Sequence, residues 1–191
     1  MEAFLLSTAI VALAEIGDKT QLLAFLLAAK FRRPLPIIVA ILLATLANHA
    51  LAGAVGAWLV GQLGPHVLRW LLGISFIALA VWMLVPDKLD GAGNRPSRFG
   101  AFGTTLIAFF LAEMGDKTQI ATVALAAQYQ SFFAIVAGTT LGMMIANVPA
   151  VLVGERLATR LPVKLVHRIA ATVFAALGVA TLLGLGSKIG L

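Results

Sequence analysis

Two copies of a short charged motif each lie inside a long apolar stretch of this sequence. The first copy is Glu-Ile-Gly-Asp-Lys-Thr-Gln at residues 15–21, and the second is Glu-Met-Gly-Asp-Lys-Thr-Gln at residues 113–119. Together they hold four of the eight acidic residues of the chain, namely Glu15, Asp18, Glu113 and Asp116. An ionisable side chain inside an apolar span is costly and commonly marks a functional site. We therefore take these four carboxylates as the candidate functional groups.

The side chains of the motif suit a hard divalent cation. On an ideal helix, a glutamate and an aspartate three residues apart share one face, so two such helices facing each other bring four carboxylates together. Oxygen ligands favour calcium, magnesium or manganese, whereas zinc and copper prefer imidazole or sulfur. The chain has no cysteine and three scattered histidines. The predicted metal ligands are therefore Glu15, Asp18, Glu113 and Asp116.

Other polar residues in and near the motif are expected to support this site. The motif glycines weaken a helix and let backbone carbonyls approach a ligand. The threonines and glutamines offer neutral oxygens, and the lysines are expected in structural or gating roles because an ammonium only donates hydrogen bonds. For the two asparagines, metal ligation and interhelical hydrogen bonding stay equally open. The supporting residues are Gly17, Lys19, Thr20, Gln21, Asn48, Gly115, Lys117, Thr118, Gln119 and Asn147.

The charge balance of the motifs predicts an exchange of metal for protons. Four carboxylates and two lysines sum to −2, which one divalent cation would neutralise. Once the cation leaves, crowded carboxylates in a poorly hydrated site cannot all stay ionised, so protons are expected to replace it. The alternative is that carboxylate–lysine pairs only hold helices together. Two copies of the motif make that alternative less favoured.

The composition indicates a membrane protein. Of the 191 residues, 61% are hydrophobic and 12% are charged, compared with about 25% charged in soluble domains. This length suits about six helices with short loops and leaves no room for a soluble domain. The net charge of +6 lies mainly in predicted loops, which favours the lipid bilayer over nucleic acid as the partner. The absence of cysteine excludes disulfides and thiolate metal sites.

Apolar stretches separated by polar or proline-containing breaks predict six transmembrane helices. The predicted spans are residues 3–29, 35–60, 66–85, 99–128, 132–153 and 169–185. The first and the fourth carry the motifs. His49 is expected to be structural, and His66 and His167 are expected at the membrane interface because they lie at span ends. The N-terminus lacks the basic region of a cleavable signal, so we expect it to run directly into the first span.

The two motifs lie 98 residues apart, which indicates an internal repeat. We predict one half at residues 1–90 and the other at 98–191, with three spans each and a cytoplasmic linker at 91–97. An odd number of spans per half inserts the second half upside down. The predicted fold is therefore an all-α integral membrane protein built from two inverted three-helix repeats, with its site near the midplane where the repeats meet.

The basic residues predict the orientation of the chain. Ten fall in loops on one side of the membrane: Lys30, Arg32, Arg33, Lys88, Arg95, Arg98, Arg156, Arg160, Lys164 and Arg168. Two, Arg69 and Lys188, fall on the other side, and the remaining two are the motif lysines. Because basic loops stay in the cytoplasm, we predict a multi-pass protein of the plasma (inner) membrane with both termini outside the cytoplasm.

The doubled Glu-x-Gly-Asp-Lys-Thr motif resembles that of the GDT-type cation exporters, formerly uncharacterised protein family 16. The resemblance covers the whole chain, although longer members have an extended N-terminal segment and a long acidic central loop that are lacking here. It implies a secondary transporter, not an enzyme, that exports manganese or calcium from the cytosol by proton antiport, with no cofactor besides the transported cation. The residues carried over from the family motif are Glu15, Gly17, Asp18, Lys19, Thr20, Glu113, Gly115, Asp116, Lys117 and Thr118.

Three other functions stay open on the sequence. The first is export of a small cationic organic solute such as a basic amino acid, whose carboxylate Lys19 or Lys117 would bind. The second is a cation channel with acidic selectivity rings, although channels usually build such rings from identical subunits. The third is a membrane scaffold or chaperone with no transport activity. The sequence makes no prediction of oligomeric state.

Overall fold

The computed structural model of the chain describes residues 1–85, 99–153 and 163–185, and every regular element in these ranges is an α-helix. The eight helices are α1 (Glu2–Glu15), α2 (Lys19–Phe31), α3 (Pro34–Gln62), α4 (Pro65–Trp82), α5 (Gly100–Glu113), α6 (Lys117–Tyr129), α7 (Phe132–Val153) and α8 (Val163–Leu182). The predicted all-helical class is confirmed. The predicted linker at 91–97 lies outside the described residues.

The helices predicted over residues 3–29 and 99–128 are each interrupted at the motif. α1 and α5 end at the motif glutamates, and α2 and α6 begin at the motif lysines. Gly17 and Gly115 have φ angles of +83° and +76°, a left-handed conformation that glycine adopts without steric cost. The expected distortion at the glycines is confirmed. The expectation that glutamate and aspartate share a face of one continuous helix is wrong, because the helix stops between them.

Helix length separates the described helices into two groups. α3, α4, α7 and α8 are each long and apolar enough to cross a membrane. α1, α2, α5 and α6 have 13 or 14 residues and are about 20 Å long, which is shorter than the hydrocarbon core of a bilayer. α8 begins at Val163, before the predicted start at Ile169, and so His167 lies inside a helix.

Two buried apolar clusters lie on opposite sides of the motifs. One is built mainly from α1, α4, α6 and α8, and includes Phe76 and Phe174. The other is built from α2, α3, α5 and α7, and includes Phe109. Because α1 and α2 follow each other across one break, and α5 and α6 across the other, each cluster packs one side of both breaks. The charged motifs are therefore held between two apolar cores.

Small residues bring the helices close together. A Cβ atom at Gly142 of α7 would lie 2.6 Å from the carbonyl oxygen of Thr8 in α1. The rings of Phe76 and Phe174 stack with centroids 6.3 Å apart where α4 packs on α8. Close backbone approach supplies the dispersion contacts that hold helices together where the surroundings are as apolar as the side chains.

Candidate metal centre

Each motif forms a tight turn between two helices, and the motif glutamine holds that turn. The backbone N–H of Gly17 donates to Oε1 of Gln21 at 2.9 Å, and the N–H of Gly115 donates to Oε1 of Gln119 at 2.7 Å. These bonds satisfy backbone donors that the interruption leaves without a helical partner. The glutamine oxygens, which were expected to offer neutral ligand atoms, accept the hydrogen bonds that shape the turns.

The two turns bring three of the four predicted carboxylate ligands together. One oxygen from each of Glu15, Glu113 and Asp116 lies within 4.8 Å of the other two. All three residues are buried, with at most 2% of their surface exposed. Asp18 is buried as well, but it is not part of this group. Because buried like charges at this separation repel one another, the group needs a cation or protons to be stable.

In each of the two glutamates, one carboxylate oxygen accepts a hydrogen bond and the other has no hydrogen-bond partner among the described residues. Oγ1 of Thr20 donates to Oε2 of Glu15 at 2.6 Å, and Oγ1 of Thr118 donates to Oε2 of Glu113 at 3.1 Å. The other glutamate oxygens, and Oδ2 of Asp116, are buried and have no hydrogen-bond partner among the described residues. The threonines therefore orient the glutamates and leave one oxygen of each for a ligand.

The motif lysines pair crosswise with the aspartates of the opposite motif. Nζ of Lys19 lies 2.7 Å from Oδ1 of Asp116, and Nζ of Lys117 lies 3.8 Å from Oδ1 of Asp18. Lys117 is fully buried and also donates to the carbonyl oxygen of Val85 at 3.4 Å, whereas the side chain of Lys19 is 26% exposed. The crossed pairs connect the two turns, and the structural or gating role expected of the lysines stays a prediction.

The two asparagines, which correspond in the repeat, have different surroundings. Asn48 donates to the carbonyl oxygen of Phe110 at 3.0 Å and accepts from Nε2 of Gln119 at 3.2 Å. Asn147 donates within its own helix to the carbonyl oxygen of Met143 at 3.1 Å, and its buried Oδ1 has no hydrogen-bond partner among the described residues. Asn48 therefore links helices, and the oxygen of Asn147 is open to a ligand.

The two turns are packed unequally. The first residue of α8 packs against Gly17, and Nε2 of His167 lies 2.8 Å from the carbonyl oxygen of Ile16. No described atom outside its own chain neighbours lies within 4 Å of the Cβ position at Gly115, and Met114 beside it is 57% exposed. α8 begins earlier than its apolar pattern indicated, so that His167 lies one turn inside the helix, and its predicted place at the membrane interface stays a prediction.

None of the three histidines belongs to the carboxylate group that the described residues form. His49 is fully buried in α3, as expected of a structural residue, and neither ring nitrogen has a hydrogen-bond partner among the described residues. His66 is exposed at the start of α4. The described residues of the candidate centre therefore offer carboxylate oxygens, and metal binding by them stays a prediction.

Comparison with known proteins gives consistent matches over most of the chain. The sequence profile of the family described as "Divalent cation/proton antiporter GDT1" matches residues 3–91 and 101–188. A Vibrio cholerae protein named "Putative manganese exporter" is 51% identical over 182 residues, which are 95% of this chain and 90% of that protein. No solved structure matches the chain significantly.

More distant relatives carry the same family name. The "Divalent cation/proton antiporter GDT1" of Saccharomyces cerevisiae is 22% identical, over 91% of this chain and 81% of the yeast protein. The "GDT1-like protein sll0615" of Synechocystis is 28% identical, over 91% of this chain and 93% of its own length. The similarity therefore spans both motifs and the helices around them.

Proposed function

The chain belongs to the GDT1 family of divalent cation/proton antiporters, and we propose that it exports manganese from the cytosol in exchange for protons. The observation that carries this function is the group of three buried carboxylates whose facing oxygens lie within 4.8 Å of one another. Such a group is stabilised either by a divalent cation or by protonation. These are the two species that an antiporter of this family exchanges. Calcium is the alternative cargo.

Manganese is favoured over calcium by the similarity to the Vibrio cholerae protein. A set of carboxylate oxygens, with an amide oxygen nearby, suits either ion on ligand type alone. The calcium alternative predicts that excess calcium competes with manganese for transport. Flux of one ion in the presence of the other therefore decides the cargo.

In our proposal the cation binds to oxygens that the fold has already oriented. Three carboxylates each have one oxygen held by a fixed partner: Glu15 by Thr20, Glu113 by Thr118, and Asp116 by Lys19. Their second oxygens are the proposed primary ligands. Asp18 is the proposed fourth carboxylate, and the amide oxygen of Asn147 is a further candidate ligand. Preorientation of this kind lowers the entropic cost of ordering ligands around an ion.

Release of the cation leaves an unstable arrangement of charges. Four buried carboxylates are then balanced by two lysines, both already engaged with aspartates. Protonation of one or two carboxylates removes the repulsion among Glu15, Glu113 and Asp116. The proton-loaded site would then return without metal, which couples the two fluxes. The titration belongs to the group as a whole rather than to one residue.

We further propose six membrane spans arranged as two inverted repeats, residues 1–90 and 98–191. In this arrangement α1 with α2, and α5 with α6, each form one interrupted span, and α3, α4, α7 and α8 are the other four. Support comes from the matched helix pairs around the two motifs. The distribution of lysine and arginine supports an inner-membrane protein with both termini outside the cytoplasm.

Unequal packing of the two turns supports alternating access between the repeats. The turn at Gly17 is covered by the start of α8, whereas no described residue beyond its chain neighbours lies within 4 Å of the Cβ position at Gly115. Two inverted repeats that exchange conformations would uncover the first turn as they cover the second. The metal site between them would then face each side of the membrane in turn.

Manganese flux by the purified protein in proteoliposomes tests this function. Glu113→Gln should be inactive, and Glu2→Gln, which changes an exposed carboxylate of α1, is the matched control. A basic amino acid as substrate predicts that excess lysine suppresses manganese flux. Manganese flux that is no faster than in empty liposomes would refute the proposed function and favour a scaffold.

A further inference from the structure

A cavity of about 530 Å³ lies where one end of α4 meets the ends of α6 and α8. Its polar lining comprises His66, Arg69, Gln128, Gln130 and Thr181, and leucine side chains of α4 form an apolar wall. The cavity is separate from the carboxylate group, because Lys117 and Gln130 mark opposite ends of α6 and are about 20 Å apart along the helix. Under the proposed topology, it faces away from the cytoplasm.

Arg69 is the charged side chain among the described residues that line this cavity, and it has no charge partner among the residues that the structure describes. Its Nε atom is buried and has no hydrogen-bond partner among the described residues, and neither of the ion pairs between described residues involves it. The residue as a whole is partly exposed, but a guanidinium is always charged, so a buried Nε–H without an acceptor is costly. The side chain also lies close to Gly184, just after the C-terminal end of α8: a Cβ atom added to Gly184 would be 3.2 Å from Nη1 of Arg69.

The described residues that line the cavity around Arg69 offer hydrogen-bond donors. None of the described residues that line the cavity is acidic. Gln128, Gln130 and Thr181 can each donate a hydrogen bond. The first turn of α4 also faces this end, and its N–H groups have no side-chain cap, so it carries the partial positive charge of a helix N-terminus. The cavity is therefore suited to an anion with several acceptor oxygens.

We propose that this cavity binds a phosphate group through Arg69, either as the headgroup of an anionic lipid or as free phosphate. Arginine binds phosphate in a bidentate manner, because its planar guanidinium presents donors in a fork that matches the phosphate oxygens. The volume is within the range of small-ligand sites. The apolar wall beside the guanidinium suits the glycerol and first methylenes of a lipid. Bound phosphate would join α4 and α8 to α6 and stabilise their packing.

The test is the thermal unfolding of the purified full chain in detergent. Three additions are compared: phosphatidylglycerol, diacylglycerol, which has the same tails without phosphate, and inorganic phosphate. Phosphatidylglycerol should raise the unfolding midpoint by about 5 °C at saturation, and diacylglycerol should not. A similar rise with inorganic phosphate alone would identify free phosphate as the source, and a rise with the lipid alone would identify the headgroup.

Two variants assign the effect to this cavity. Arg69→Gln should abolish the rise, and Arg168→Gln, which removes an exposed arginine of α8, should keep it. If Arg69→Gln fails to fold, the comparison of the two lipids in the wild-type protein still tests the proposal. Arg69→Lys then replaces it as a milder variant, in which phosphatidylglycerol should raise the unfolding midpoint less than in wild type. The proposal is overturned when neither phosphate compound shifts the wild-type midpoint, or when Arg69→Gln responds as strongly as wild type.

Discussion

Nζ of Lys19 in the first motif lies 2.7 Å from Oδ1 of Asp116 in the second motif. This ion pair uses one oxygen of Asp116 and leaves the other, Oδ2, buried without a hydrogen-bond partner among the described residues. The lysine therefore orients a carboxylate without blocking it. It also ties the two motifs together, so that the geometry of the candidate metal centre depends on both halves of the chain.

Loss of a single carboxylate should stop transport without unfolding the protein. Glu15→Gln and Asp116→Asn each keep the size of the side chain and remove one proposed ligand charge, on which affinity for hard divalent ions depends. Manganese flux should fall to the level of empty liposomes, while the unfolding midpoint stays near that of wild type. Glu2→Gln should retain wild-type flux. Native-rate transport by either motif variant would exclude that residue as a ligand.

The two crossed ion pairs should differ in their contribution to stability. Lys117 is fully buried, so Lys117→Gln leaves the charge of Asp18 without this partner and should cost about 3 kcal/mol. Lys19 is partly exposed, and water can compensate for its removal, so Lys19→Gln should cost less. Denaturant unfolding in detergent micelles measures both. Equal losses for the two variants would contradict the asymmetry seen in the structure.

A double variant separates charge from packing in the buried pair. Lys117→Gln combined with Asp18→Asn removes both charges, and it should recover part of the stability lost in Lys117→Gln alone. Failure to recover any stability would mean that packing of the lysine stem, rather than the pair, accounts for the loss.

The motif glycines provide a matched pair of substitutions. Both have left-handed φ angles, so Gly115→Ala should cost about 1–2 kcal/mol from backbone strain. Gly17→Ala should cost more, because its methyl group would also collide with the side chain of Val163. Adding Val163→Ala should recover the excess. Thermal unfolding of the three variants checks this order, and the reverse order would show that α8 does not pack on the first turn.

The threonines should act on metal affinity through the glutamates they orient. Thr20→Val keeps the shape of the side chain and removes the hydrogen bond to Glu15. Loss of such an orienting partner typically weakens metal binding by about 10-fold or more, so the KM for manganese should rise while transport persists at high concentration. Thr20→Ser keeps the hydroxyl and should restore most of the affinity. An unchanged KM for manganese in Thr20→Val would show that the hydrogen bond from Thr20 to Glu15 does not support metal binding.

Much of the candidate site could be predicted from the motifs, because ionisable side chains inside apolar spans are costly and commonly mark a functional site. The doubled motif predicted which carboxylates matter, and the conformational freedom of glycine predicted the distortion at Gly17 and Gly115. The helix class followed from apolar stretches of membrane-spanning length. The structure confirms the helical class and the distortion at the glycines and brings three of the four carboxylates together, whereas their role as metal ligands stays a prediction.

Other features of the site carried no sequence signal. Nothing in the motif indicates that Lys19 pairs with Asp116 rather than with its near neighbour Asp18, because that choice depends on how the two turns face each other. The ideal-helix argument failed because the turn between glutamate and aspartate replaces helical spacing. The contact between His167 and the carbonyl oxygen of Ile16 was not predicted, because the polar residues before Ile169 concealed the start of α8.

Coupling of manganese to protons is the central claim, and flux under a pH gradient tests it most directly. Proteoliposomes are loaded with an acidic buffer and a trapped pH dye, and manganese is added outside. Antiport predicts faster manganese uptake than without the gradient, with a simultaneous rise in internal pH, and neither response in Glu113→Gln liposomes. Manganese uptake that ignores the gradient and leaves the dye unchanged would contradict proton antiport.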